Sequence, residues 1–413
     1  METVVRCCCG LDVHKDTVQA CVRSLDERGK LTTEVRSFST MTQGILSLGD
    51  WLAEKQITVV AMESTGVYWK PIWNLLEDRW KLLLVNAQHI KHVPGRKTDV
   101  LDCQWIAQLL QHGLLKGSFV PPRANRELRD LTRQRSQLVA DRVRVGNRIA
   151  KVLEDANIKL GSVASDLLGK SSRRMLEAMV AGTEDPTALA DLALGRLTSK
   201  HEALVSALRG RLNEHHRFML RMLLQQVSSL DTLVAEFEMR IVAQTRNWQE
   251  SLERIDRIQG VDLVAARAIL AEIGTDMSVF PSADHLAAWA GMCPGNHESA
   301  GKRKRGTTRK GNRWLRATLV QCAWAASHCK DCYLASQYRR LASRRGKKRA
   351  LIAVGRSILI IIYEMLAHGT TYEDLGGDWF DRRSPQRLQQ HLVRRLEKLG
   401  FKVALTPAQS AAA

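Results

Sequence analysis

The chain has 413 residues, 45% of them hydrophobic, and its 62 lysines and arginines against 43 aspartates and glutamates leave a net charge of +19. That length predicts two or three domains, and that hydrophobic content excludes wholesale disorder. The charge surplus calls for a polyanionic partner, either nucleic acid or an acidic membrane surface. The opening METVVRCCCGLDVHK lacks a basic-then-apolar leader, so no secretory signal is expected. No stretch supplies the ~18 apolar residues of a bilayer span; the longest, LIAVGRSILIIIYEML, carries Arg356. Nine cysteines in no repeating framework read as reduced thiols of a cytoplasmic protein.

In chain order, CCCGLDV and TVQACVRSL are β-rich runs around His14, Lys15 and Asp16, which suit a tight hairpin, and TTEVRSFS is a third candidate strand. MTQGILSLGDWLAEK has helical periodicity, ITVVAME reads as a buried strand, GVYWKPIWNLLEDR as a helix and KLLLVN as another strand. TDVLDCQWIAQLLQHG closes this region as an amphipathic helix, so the first ~120 residues predict a mixed sheet with packed helices. From Glu127 apolar residues recur every three to four positions without proline, giving one long helix; a second runs through NEHHRFMLRMLLQQVSSLDTLVAEFEMRIVAQ. The pair suits either an antiparallel arm or a dimer-forming coiled coil. LERIDRIQGVDLVAARAILAEIG then reads as helix, turn at Gly260, helix. This resembles a helix-hairpin-helix, whose turn amides face a DNA phosphate, or else an ordinary helical hairpin. The last ~40 residues read as a partly helical tail.

Asp12 ends the first strand, Glu63 ends ITVVAM, and Asp99 and Asp102 open the helix through QWIAQLL, where i, i+3 spacing would place them on one face. Singly, each has a structural explanation: a polar strand end, a turn cap, a helix N-terminus, a solvated face. Together they form the pattern of a ribonuclease-H-like metal site, in which hard Mg²⁺ ions held by carboxylates clamp the oxygens of an in-line phosphoryl transfer. His14, Lys15, Ser64 and Thr65 suit its rim. A second informative segment is AGMCPGNHESAGKRKRGTTRKGNRWLR. Pro294, Gly295 and Asn296 mark a turn, and Ser299 stands in a loop before Lys302, Arg303, Lys304 and Arg305. A serine needs a base or metal and nearby cations to attack phosphate, and this loop supplies the cations. By composition alone it remains a loop serine. Arg309, Lys310, Asn312 and Arg313 complete the candidate nucleic-acid contacts, while Trp314, Trp324 and Tyr333 read as core residues of the following helices.

GLDVHK, MESTGVYW, KTDVLD–QWIAQLL and CPGNHESAGKRKRGTTRKGNRWLR together resemble the DEDD-type insertion-sequence transposases, in the family's order and across residues 5–365. The resemblance implies an α/β plus all-α chain: a RuvC-like catalytic domain (1–122), a long-helix coiled-coil region for oligomerisation (123–250), a mainly helical transposase domain (251–370) and a tail (371–413). It implies Mg²⁺ at Asp12, Glu63, Asp99 and Asp102, and a nucleophilic serine at Ser299 that joins covalently to DNA. Glu298 stands where many relatives have another serine, which leaves open its role as a base. The resemblance further implies a composite site, a homo-oligomer (dimer, then tetramer on DNA) and an element-encoded guide RNA, with no membrane.

Other constellations are weaker. Cys329 and Cys332 lack the second pair a zinc site needs, Cys7, Cys8 and Cys9 lie on a candidate strand, and His89 and His92 belong to the loop before the acidic helix. No P-loop or dinucleotide fingerprint is present, and HLVR ending at Arg394 has no tyrosine after it for a tyrosine recombinase. The competing functions are a junction-resolving metal nuclease, which would not need Ser299, and an inactive nucleic-acid-binding protein, which would not need Asp12.

Overall fold

The structure is a computed structural model and describes residues 4–26, 28–64, 66–86, 101–294, 298–299, 302–303, 308 and 310–405, the side chains of 298, 299, 302, 303 and 387 excepted. The chain folds as two compact units, Met1–Val120 and Pro121–Ala413.

The first unit is a five-stranded sheet of β1 (Cys7–Val13), β2 (Thr17–Leu25), β3 (Leu31–Ser39), β4 (Val59–Glu63) and β5 (Lys81–Val85), ordered β3-β2-β1-β4-β5. β1, β2 and β3 are antiparallel neighbours, whereas β4 pairs parallel with both β1 and β5. The hairpin at His14–Lys15–Asp16 closes with the His14 amide donating to the Thr17 carbonyl at 2.9 Å. Period-two alternation sorts the strands between two helical layers. Cys9, Leu11, Val13, Val60 and Met62 pack with Ile45, Leu48 and Leu52 of α1 (Thr42–Glu54) and with Ile72 and Leu76 of α2 (Trp69–Leu76). On the opposite face Cys8, Ala61 and Val85 pack with Trp105, Ile106 and Leu109 of α3 (Asp102–Gln111). A hydrophobic strand buried on both faces reads as a near-continuous apolar run, which is how CCCGLDV and VVAM look.

The second unit is helical. α4 (Arg123–Asp155) and, after α5 (Lys170–Val180) and α6 (His201–Leu208), α7 (Glu214–Gln244) are the two long helices expected from periodicity. Their ion pairs join Arg135 to Glu238, Arg142 to Asp231 and Asp155 to His216, so one number rises as the other falls. The two helices are therefore antiparallel within one chain. Val145, Ile149 and Leu153 of α4, Met175 and Met179 of α5, Leu204 of α6 and Leu220 and Leu224 of α7 form one core at one end of this pair. At the other end Leu128 and Ile241 pack with Ala271 of α9 (Leu263–Ile273), which follows α8 (Gln249–Asp256).

Beyond α9 come α10 (Ala283–Trp289), α11 (Arg313–Ser327), α12 (Tyr333–Arg345), α13 (Lys347–His368) and, in the tail, α14 (Pro385–Lys398). α13 differs from the sequence expectation: it continues for 22 residues and is long and apolar enough to cross a bilayer by length and composition. Its buried face (Val354, Ile358, Leu359, Ile362) packs against α10, α11 and α12, the environment of a core helix. Cys332 caps α12, its sulfur accepting from the Ala335 amide at 3.4 Å, and the tail returns to this corner by stacking Phe380 on Tyr333.

Candidate active site

β1 and β4 run parallel with Leu11 opposite Met62, so Asp12 and Glu63 occupy equivalent positions at the two carboxyl ends. Both follow residues that face α1, and alternation turns both toward the α3 face. α3 comes close to this end of the sheet because Gly10 allows it: a Cβ there would stand 2.4 Å from both the Ala107 nitrogen and the Cys103 carbonyl oxygen. α3 starts at Asp102, whose charge suits a helix N-terminus. Cys103 is buried beside these acids. Burial raises its thiol to about 11, and the negative charges of Asp12 and Asp102 push the same way. Asp12 is 17% exposed and pairs with His14 at 3.2 Å, which brings one expected rim residue to the site.

Asp12 and Glu63 therefore end neighbouring strands, and Asp102 opens the helix packed on the same face of the sheet. Asp99 lies outside the described residues, as do Thr65, His89 and His92. The expectation that Asp99 and Asp102 share a helix face falls on a residue outside the described ones; the described helix begins at Asp102, with Leu101 as its N-cap (ψ 145). A donor set of carboxylate oxygens suits a hard divalent cation. Among the described residues no group of three or more acids, histidines or cysteines is already drawn close enough to hold one.

Ser299 lies on a second, two-stranded element. β6 (Glu298–Ser299) pairs antiparallel with β7 (Lys302–Arg303), with Ser299 opposite Lys302 and Glu298 opposite Arg303. A bridge between Pro294 and Thr308 continues the pairing toward the base. There Gly311 touches the chain again: its Cβ would stand 2.3 Å from the Gly291 nitrogen. The expected loop is thus a hairpin with a pinched base. Lys304, Arg305 and Arg309 lie outside the described residues, and Lys310 and Arg313 are exposed. Arg313 covers the Trp314 ring at 4.9 Å.

Asn312 is committed within the fold. Its side-chain oxygen accepts from the Trp314 and Leu315 amides at 3.0 and 3.2 Å, capping α11, and its nitrogen donates to Glu272 Oε2 at 2.6 Å. Glu272 is a buried residue that motif and spacing did not single out. Arg133 of α4 grips it with two hydrogen bonds at 2.7 and 2.8 Å, and Arg129 approaches at 3.2 Å. Burial lowers Arg129 to about 10, and the Glu272 charge opposes that fall. The available signal was a single acid in the otherwise apolar run AILAEIG.

Two further expectations meet the structure. The hairpin α8–turn–α9 is present, with Gly260 packed against α11, where a Cβ would stand 2.4 Å from the Ala326 nitrogen. The Asp262 carboxylate caps α9, accepting from the Ala265 amide at 2.7 Å. Trp324, expected in the core, is 53% exposed and meets His328 edge-on at 4.5 Å.

Residues 9–158 match a transposase family of the DEDD, IS110 type, and residues 252–339 match the transposase family IS116/IS110/IS902. The chain belongs to the IS110 family of DNA transposases. Its relatives include the transposase for insertion sequence element IS1111A of Coxiella burnetii, 24% identical over 88% of this chain and 90% of that one. A probable family 20 transposase of Pseudomonas aeruginosa is 24% identical over 78% of this chain and 88% of its own. The uncharacterized 42 kDa protein of insertion element IS900 from Mycobacterium paratuberculosis is 27% identical over 70% and 80%. The first match contains Asp12, Glu63, Asp99 and Asp102, and the second contains Ser299. Membership in a DEDD family implies a divalent-metal-dependent site in this transposase and DNA as its partner.

Proposed function

We propose that this transposase cuts and rejoins DNA through Mg²⁺ held by Asp12, Glu63, Asp99 and Asp102, with Ser299 as the attacking group. The observation that carries the reading is the β1–β4 register, which brings Asp12 and Glu63 side by side beneath the helix opened by Asp102. The strand order, with three antiparallel strands followed by two parallel ones, supports a ribonuclease-H-like (RuvC-like) domain. When bound, the metal supplies Lewis-acid polarisation of the phosphate and charge stabilisation. In the cleavage step the Ser299 Oγ forms a bond to phosphorus and the bridging P–O bond to the leaving sugar oxygen breaks. The serine proton passes to a base, and the leaving oxygen takes up a proton. Attack by another strand's hydroxyl on the phosphoserine reverses these changes, so no external energy source is required. The cations Lys302, Arg303, Lys304, Arg305, Arg309, Lys310 and Arg313 would offset phosphate charge around the hairpin, whose base Asn312 anchors. Residues 1–122, 123–250, 251–370 and 371–413 serve in this reading as catalytic, helical linker, serine-bearing and tail regions. A homo-oligomer and an element-encoded guide RNA complete it through the family resemblance.

The test is incubation of the full chain with the element's ends, its flanking transcript and Mg²⁺. The expected product is a denaturation-resistant protein–DNA adduct that maps to Ser299 and disappears in Ser299→Ala. Asp12→Asn should lower its yield by more than ~100-fold, since losing groups that merely orient a metal ligand already costs about 10–100-fold. Hydrolysed ends without an adduct would show a nuclease of the resolvase kind, and undiminished activity in Asp12→Asn would remove the metal assignment. Omitting the transcript tests the RNA.

A further inference from the structure

Several arginines of the second unit are paired with carboxylates inside it: Arg133 with Glu272, Arg135 with Glu238, Arg142 and Arg173 with Asp231, Arg217 with Glu184. The cations at the junction of α12 and α13 are not. Seven of the eleven residues 339–349 are lysine or arginine, with no acid among them. All seven are exposed, and among the described residues none of them has a carboxylate within ion-pairing distance.

The arrangement is costly for the fold alone. Arg344 and Arg345 stand in the last turn of α12, where the helix dipole favours a cation. Lys347, Lys348 and Arg349 open α13 with no acid in its first turn, where the dipole disfavours them. Only Gly346 separates the groups, with φ +84 allowing the chain to turn from one helix directly into the next. Five like charges therefore meet at one exposed corner. Such a local violation of electrostatic rules, uncompensated inside the fold, is characteristic of a functional surface. Arg340 differs from the others in lying over the Phe380 ring at 5.1 Å, and it ties the tail to the corner.

We propose that the α12–α13 corner is a docking surface for the phosphodiester backbone of double-stranded DNA, distinct from the serine hairpin and independent of base sequence. The charge complementarity is that of a polyanion with closely spaced charges, and DNA is the partner the family assignment supplies. The corner would hold a flanking stretch of duplex and fix its register.

The experiment measures binding of the full chain to a duplex DNA of unrelated sequence as a function of salt. The comparison is with a variant carrying Arg344→Gln, Arg345→Gln, Lys347→Gln and Lys348→Gln. Four lost phosphate contacts flatten the log K against log[salt] slope by about 3.6, so between 50 and 200 mM salt the unaltered chain loses ~150-fold more affinity than the variant. The charge-preserving swap (Arg344→Lys, Arg345→Lys, Lys347→Arg, Lys348→Arg) should restore the slope. A slope unchanged in the glutamine variant overturns the proposal, and so does a loss confined to duplex RNA of equal length. Thermal unfolding of the glutamine variant should occur at the same temperature or higher, because repulsion has been removed. A lower unfolding temperature would show the cations to be structural and overturn it as well. These readouts involve neither Ser299 nor the acids, so failure here leaves the catalytic reading standing, and the reverse.

Discussion

Glu272→Ala is the most informative single perturbation of the second unit. The carboxylate is 2% exposed and joins three elements: Arg129 and Arg133 on α4, its own helix α9, and Asn312 at the start of α11. Removing it leaves two arginines facing each other with side chains only 12% and 29% exposed, and strips Asn312 of an acceptor. Breaking a buried pair from one side costs about 3–5 kcal/mol. An orphaned amide adds about 1 kcal/mol or more, so a loss of ~4 kcal/mol or above is expected against a domain stability of about 5–15 kcal/mol. Glu272→Gln retains volume and one acceptor oxygen and should lose about 2–3 kcal/mol. Replacing both Glu272 and Arg133 with methionine removes the charges together, and Arg129 keeps its hydrogen bonds to the backbone carbonyls of residues 271 and 272. That double variant should be more stable than Glu272→Ala by about 2 kcal/mol. Urea unfolding followed by hydrogen exchange in α9 and α11 measures these differences. A cost below ~1 kcal/mol for Glu272→Ala, or simple additivity in the double variant, would refute the reasoning. Because Asn312 closes the base of the serine hairpin, Glu272→Gln should also reduce Ser299 adduct formation while the protein remains folded.

Gly10→Ala should separate α3 from the sheet, since its Cβ meets backbone at 2.4 Å; metal-dependent cleavage should fall while the second unit's unfolding stays unchanged, and full activity would refute the close-packing account. Gly260→Ala combines φ +84 with backbone at 2.4 Å and should cost the second unit several kcal/mol, on the order of 3, in urea melts; a cost under ~1 kcal/mol would show that the α8–α9 turn yields easily. The buried thiols give a pH prediction. Burial raises Cys8, Cys21 and Cys322 to about 12 and Cys103 to about 11, above the ordinary 9.0. The unfolded chain therefore releases these protons first, and stability should be full below pH 9 and fall from there toward pH 11 and 12. Urea midpoints at pH 8 and 10.5 test this, and Cys322→Ala should flatten the decline. At neutral pH a thiol reagent should label the partly exposed Cys7, Cys293 and Cys329 well before the buried cysteines.

Local pattern was enough to place the elements. Short β-rich and apolar runs located β1 to β5 within a residue or two, and the proline-free 3.6-residue periodicity located α4 and α7. These signals are local, written in which face of each segment must be buried. They also singled out Asp12, Glu63 and Asp102, because a polar residue at the end of an apolar strand, or at a helix start, is visible in one dimension. Register decided that Asp12 and Glu63 end neighbouring strands: β4 pairs with β1 across the sheet, and Gly10 admits the helix opened by Asp102 onto that face. Periodicity left open whether the long helices pair within the chain, since apolar stripes do not name their partners; the ion pairs from Arg135 to Glu238 and Arg142 to Asp231 do. Glu272 looked like an ordinary charge on a helix, and Trp324 like core, because composition cannot tell which side of α9 or α11 the rest of the chain will cover. The same holds for the surplus of positive charge. Its size is a matter of counting residues, whereas only packing separates arginines that bind carboxylates inside the protein from those at residues 344–349 left facing solvent.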